Sequence, residues 1–127
     1  MNPRFVTKDL HALIDYPVAL LLMTAPLLLG LGESHPAAKW LGIGTGVAAL
    51  ILTIFTDHKL GLIRVLPYPL HVAVDGLVGL TFLVAPFVFG FSGIDAWFYW
   101  ANGLAVVAVV GLSQPATARS SVAQVHA

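Results

Sequence analysis

Charged residues interrupt this chain in only a few short stretches, and long apolar runs separate them. Tyr16 to Gly32 and Trp40 to Thr56 are each 17 residues without a charge, Gly76 to Ile94 is 19, and another run extends from Ala96 to about Leu112. At about 1.5 Å per helical residue, 17 residues cover roughly 26 Å, so the first run needs the turns bearing His11 and Asp15 to cross a hydrocarbon core of about 30 Å. The pattern therefore predicts an all-α, polytopic membrane protein with four transmembrane helices. The first helix is expected from about Lys8 to Leu31, behind a short polar lead in which Thr7 is a suitable N-cap. GESHPAAK (32–39) and SGID (92–95) read as turns, which makes each pair of spans an antiparallel hairpin.

The polar positions also repeat. His11 to Gly30 reads His-x-x-x-Asp, nine residues, Ala-Pro, three residues, Gly, and His71 to Gly90 reads the same sixty residues later. Carried forward, this register sets Trp40 on Trp100, Ala48 on Ala108 and Leu52 on Leu112. The expected layout is one membrane domain of two tandem hairpins, about 8–56 and 71–113, joined by a connection at 57–70 and followed by a polar tail at 114–127. Because each repeat holds two spans, the hairpins share one orientation and form parallel repeats. The connection DHKLGLIRVLPYPL is too charged to span and too apolar for bulk water, so it is read as interfacial. The first run is not a signal peptide, because its copy lies in the middle of the chain.

Composition agrees with this picture: 58% of residues are hydrophobic and 9% charged, against about a quarter charged in soluble domains. There is no cysteine, so disulfides, thiolate metal sites and cysteine nucleophiles are excluded. The formal net charge is zero and the basic residues are scattered, which leaves no stripe to neutralise nucleic-acid phosphates. Arg4, Lys8, Lys59, Arg64 and Arg119 fall on the side of the two termini and only Lys39 on the other. The positive-inside bias then predicts a bacterial inner-membrane protein with both termini cytoplasmic. Trp40, Trp97, Tyr99 and Trp100 mark the expected outer aromatic belt, and Tyr16 and Tyr68 the inner one.

Gly42, Gly44 and Gly46 leave part of the second helix bare, and Gly42-x-x-x-Gly46 suits close helix packing, within the chain or in a homo-oligomer. Pro26 and Pro86 each remove a backbone hydrogen bond and clash with the carbonyl of Leu22 or Phe82, so kinks are expected in the first and third helices.

Candidate chemistry is confined to the inner side. His11 and Asp15, like His71 and Asp75, are four residues apart and share a helix face. Asp57 and His58, at the end of the second helix, fall on the same side, so six ionisable groups are expected to converge. Three readings are open: polar anchors at the membrane interface, a divalent-metal or haem site, and proton or ion passage. The outer half offers little polar path beyond Thr24, Thr45 and Asn102. No serine-nucleophile, phosphate-loop or His-Glu-x-x-His motif is present, so an enzyme is not expected. Glu33 and His35 read as a solvated turn, and His126 as part of the tail.

The Ala25-Pro26-Leu27 and Ala85-Pro86-Phe87 tripeptides, followed by Gly30 and Gly90 and then by Trp40 and Trp100, resemble the SPW-repeat family of small bacterial membrane proteins. Serine and tryptophan of its motif are replaced in both copies. The resemblance covers roughly Leu10 to Leu112 and implies four-helix integral membrane architecture without an established activity, so no catalytic residue is carried over. The functional expectation is a small structural or accessory membrane protein, with ligand binding through the His-Asp groups as the alternative.

Overall fold

The computed structural model describes residues 4–57 and 61–113, so His58 and the tail at 114–127 lie outside the described residues. Four helices form: α1 (Lys8–Leu28), α2 (Ala37–Phe55), α3 (Tyr68–Phe89) and α4 (Gly93–Leu112). Their 19 to 22 residues correspond to about 28–33 Å, and all four are long and apolar enough to cross a membrane. The Thr7 side chain accepts a hydrogen bond from Leu10 N–H and starts α1 where the sequence predicts.

The bundle carries its large apolar side chains outside. Leu28, Leu77, Phe87 and Leu104 are exposed, whereas Ala12, Ala19, Ala25, Ala38 and Ala85 are buried. In lipid the outer surface needs no burial, and small interior residues permit the close backbone approach that holds helices together. α1 packs on α2 and α3 on α4. A Cβ on Gly46 would stand 2.9 Å from the Ala19 carbonyl oxygen, and one on Gly103 would stand 3.0 Å from that of Gly79. A Cβ on Gly42 would meet Pro26 and Tyr99 at 3.0 and 3.2 Å. Gly42 and Gly46 are thus both occupied by packing within the chain.

These contacts revise the repeat register. α1 and α3 correspond sixty residues apart, since Ala19 matches Gly79, but Gly46 matches Gly103 and Thr56 matches Ser113, both fifty-seven residues apart. The structural counterpart of Trp40 is therefore Trp97 and not Trp100. The cause is the outer turn, which spans 29–36 in the first repeat and only 90–92 in the second. Trp40 and Trp97 are both exposed, while Trp100 packs inward against the core.

The prolines are also placed differently from the expectation of bends within the spans. α1 ends at Leu28 and α3 at Phe89, so Pro26 and Pro86 lie in the last turns. The Pro26 carbonyl accepts from Leu31 N–H and the Pro86 carbonyl from Phe91 N–H, each at 2.9 Å, while Gly30 and Gly90 adopt φ of +65° and +70°. This is a Schellman-type stop with its hydrophobic residue, Leu31 or Phe91, buried behind the left-handed glycine. The repeated Ala-Pro-x-x-x-Gly is thus a helix terminator, and the third helix stops five residues short of the uncharged run's end at Ile94.

At the end of the bundle that holds Val6 and Ser113, termed the inner end, strand-like segments close off the helix termini. Val6 N–H donates to the Leu112 carbonyl, and Val6 bridges Ser113; Leu66 N–H donates to the Phe55 carbonyl and Leu66 bridges Thr56. The connection beyond α2 folds back on that helix, with Leu62 and Ile63 N–H on the Ile54 carbonyl.

Candidate functional site

The first turns of α1 and α3 bring two His-Asp couples together at the inner end of the bundle. The couples do not stay within their own helices. His11 Nε2 lies 2.8 Å from Asp75 Oδ2 and 3.3 Å from Asp15 Oδ1, while His71 Nε2 lies 2.8 Å from Asp15 Oδ2 and 3.2 Å from Asp75 Oδ2. Each histidine thus makes its shorter contact with the aspartate of the other repeat. One ligand atom from each of the four residues lies within 4.8 Å of all the others. Both imidazoles are buried, and their rings meet edge-on with centroids 5.5 Å apart.

The opposite ring nitrogens are held by hydroxyls. His11 Nδ1 is 2.9 Å from Ser113 Oγ and His71 Nδ1 is 2.7 Å from Thr56 Oγ1. Both hydroxyl protons are already committed, Ser113 Oγ donating to the Val109 carbonyl and Thr56 Oγ1 to that of Leu52. The hydroxyl oxygens therefore accept from Nδ1–H, and this turns each Nε2 toward the carboxylates. The Tyr68 hydroxyl stands 3.1 Å from His11 Nδ1. Asp15 Oδ2 is buried and, despite its proximity to His71, has no aligned hydrogen-bond donor among the described residues.

Of the six groups expected here, the structure brings four together, while His58 lies outside the described residues. Asp57 is exposed and outside the quartet: α2 ends at Phe55, Thr56 turns to extended backbone, and Asp57 N–H donates to the Leu66 carbonyl. Thr56 occupies the position at the site instead. Tyr68, expected in the interfacial belt, is buried against both histidines, with ring centroids 5.7 Å from His11 and 6.3 Å from His71. Tyr16 is partly exposed. Ser113, Thr56 and Tyr68 were not singled out for the site from sequence. For Thr56 and Ser113 the available signal is a hydroxyl ending each second span.

A porphyrin does not fit this geometry. The space between the two Nε2 atoms is filled by carboxylate oxygens, and the edge-on rings leave no slot for a flat macrocycle. His11, Asp15 and Asp75 also reach a cavity of about 730 Å³ bounded by all four helices, its walls mostly aliphatic apart from Thr45, Thr53 and Asn102. Asn102 donates to the Phe98 carbonyl and Thr53 to that of Ala49, so these groups are satisfied by their own helices. Thr24, on an exposed flank, likewise donates to the Leu20 carbonyl.

A second polar centre lies at the outer end. Asp95, buried in the first turn of α4, accepts from Gly32 N–H and Ser34 N–H at 3.0 Å each and from the Ser34 hydroxyl. Tyr99, expected in the outer belt, is instead fully buried, because its hydroxyl donates to the Ala38 carbonyl at 2.6 Å across the hairpins. Both tie the second hairpin to the first. The sequence reading treated SGID as a plain turn; an aspartate at the start of an apolar span was the available signal. His35 Nδ1 accepts from Ala37 N–H, so it helps to start α2.

No curated protein and no solved structure matches the chain. The SPW repeat domain matches it over residues 9–115. Spanning both hairpins and the whole quartet, that match agrees with the four apolar helices: the chain is an integral membrane protein and belongs to the SPW repeat family.

Proposed function

We propose that this is a small structural or accessory protein of the bacterial cytoplasmic membrane, a two-hairpin scaffold with both termini cytoplasmic whose inner end is fastened by the His-Asp quartet. The observation that carries the reading is the crossing of the pairs: His11 with Asp75 and His71 with Asp15, each at 2.8 Å. A couple closed within its own helix would stabilise one hairpin, whereas crossed couples make each hairpin complete only against the other. Ionisable groups at this position are costly in lipid unless paired, and the crossing pairs them. No catalytic role is proposed for the quartet.

The basic residues support the orientation, with Arg4, Lys8, Lys59, Arg64 and Arg119 on the terminal side and Lys39 opposite. Exposed Leu62, Ile63 and Val65 suit a connection resting in the headgroup region on that side. Because the chain has no cysteine, Glu33→Cys and Ile63→Cys variants test the orientation cleanly. A membrane-impermeant thiol reagent applied to intact cells should label the first and spare the second; the opposite pattern reverses the topology. The fastening is tested by unfolding in detergent. His11→Ala/His71→Ala should melt well below the parent, and equal melting would remove the clasp.

A further inference from the structure

We propose that the quartet is a divalent-cation site of the His₂Asp₂ type, its ligands being Nε2 of His11 and His71 and one carboxylate oxygen each from Asp15 and Asp75, with zinc as the ion it suits. The inference rests on the reading of the quartet as a clasp and adds an ion to it.

Three independent features point this way. The first is convergence. Ligands about 2.0–2.2 Å from a tetrahedral zinc stand roughly 3.4 Å from one another. The four donor atoms here are separated by distances from 2.8 Å to at most 4.8 Å, so small side-chain movements close the tetrahedron. The second is the shell behind the ligands. Metal-bound imidazoles usually donate their other N–H to an oxygen that fixes tautomer and ring orientation. Ser113 Oγ and Thr56 Oγ1 hold that place for His11 and His71, and their own protons are spent on carbonyls, so both Nε2 atoms are aimed inward. The third is Asp15 Oδ2, a buried oxygen whose 2.8 Å contact with His71 Nε2 is an ion pair and not an aligned hydrogen bond. An ion at the centre would give that oxygen a directed bond.

The donor set also selects the ion. Two imidazoles disfavour calcium and magnesium, which take oxygen ligands, and a compact set of four nitrogen and oxygen donors suits zinc. Two carboxylates neutralise a divalent charge, leaving a site with no net charge to bury. Asp15 and Asp75 line the wall of the central cavity, which gives an ion a side of approach other than the packed histidine rings.

The test uses the full chain purified in detergent, stripped with a chelator, and titrated separately with zinc and with cobalt as a spectroscopic probe. Expected are one ion per chain, an intense visible absorption from tetrahedral cobalt, and a melting temperature that rises with zinc. His11→Gln/His71→Gln should abolish all three. Should that variant fail to fold, Thr56→Val keeps every ligand and should weaken zinc about 10–100-fold, the usual effect of removing a group behind a metal ligand. A parent that retains no ion, or variants that bind as tightly as the parent, overturns the metal site. If the chelator-stripped double variant still melts below the stripped parent, the clasp stands without its ion; if the two melt alike, the clasp itself fails.

Discussion

The two ends of the bundle join the hairpins by opposite means. At the inner end the repeats meet as equals: His11 and His71, Asp15 and Asp75, Ser113 and Thr56, and the Val6 and Leu66 segments all occupy matching positions. At the outer end they meet as unequal halves. By the fifty-seven-residue register, Asp95 stands where the first repeat has Ala38, and Tyr99 where it has Gly42. The Tyr99 hydroxyl binds the carbonyl of Ala38 itself and lies 3.2 Å from where a Cβ at position 42 would stand. Duplication supplied two identical faces. The inner end kept them and paired them through a pseudo-twofold axis, whereas the outer end became a projection on one hairpin and a recess on the other. A symmetric joint needs both copies intact, while an asymmetric one concentrates its function in a few residues of one copy.

This contrast is open to direct attack by unfolding measurements in detergent. The largest effect is expected at the inner end: His11→Ala/His71→Ala leaves two carboxylates without partners, at a cost of about 3–5 kcal/mol. Replacing all four quartet residues with apolar ones of similar volume should cost far less, because no unpaired charge remains. At the outer end Asp95→Ala strands Gly32 N–H and Ser34 N–H, for about 2–3 kcal/mol, and Asp95→Asn should recover part of it. Gly46→Ala pushes a methyl to within 2.9 Å of the Ala19 carbonyl and should cost about 1–3 kcal/mol. Gly44→Ala, with nothing within 4 Å, should instead stabilise by about 1 kcal/mol. A smaller loss from the double histidine variant than from Asp95→Ala would reverse the ranking of the two ends.

The architecture was legible because lipid imposes long uninterrupted apolar runs, and duplication wrote the inner-end chemistry twice. The helix containing each His-x-x-x-Asp couple, its face and its depth all follow from spacing. The partner does not. Spacing of four leads to an expectation of pairing within one helix, yet His11 takes Asp75 because the two inner faces meet across the axis, a fact of tertiary packing. The register of α2 and α4 was misread for a related reason. Trp40 and Trp100 are identical residues sixty apart, but a shorter outer turn moved the true counterpart to Trp97. Pro26 and Pro86 were assigned bends because the run of apolar residues continues beyond them. The left-handed glycines four residues on decide that the helices end there. Asp57 and Tyr68 show the same limit from two sides: proximity in sequence to a site put one in it, and resemblance to a belt residue kept the other out.

The crossed pairing also bears on how the chain is made. His11 emerges from the ribosome sixty residues ahead of His71, an interval of about 3–12 s at roughly 5–20 residues per second. Throughout it the first hairpin carries His11 and Asp15 with only each other for company, and Thr56, which will hold His71, has no imidazole to receive. The first hairpin is therefore an unfinished membrane segment until the second arrives, and the connection between α2 and α3 is the tether that keeps its missing half within reach.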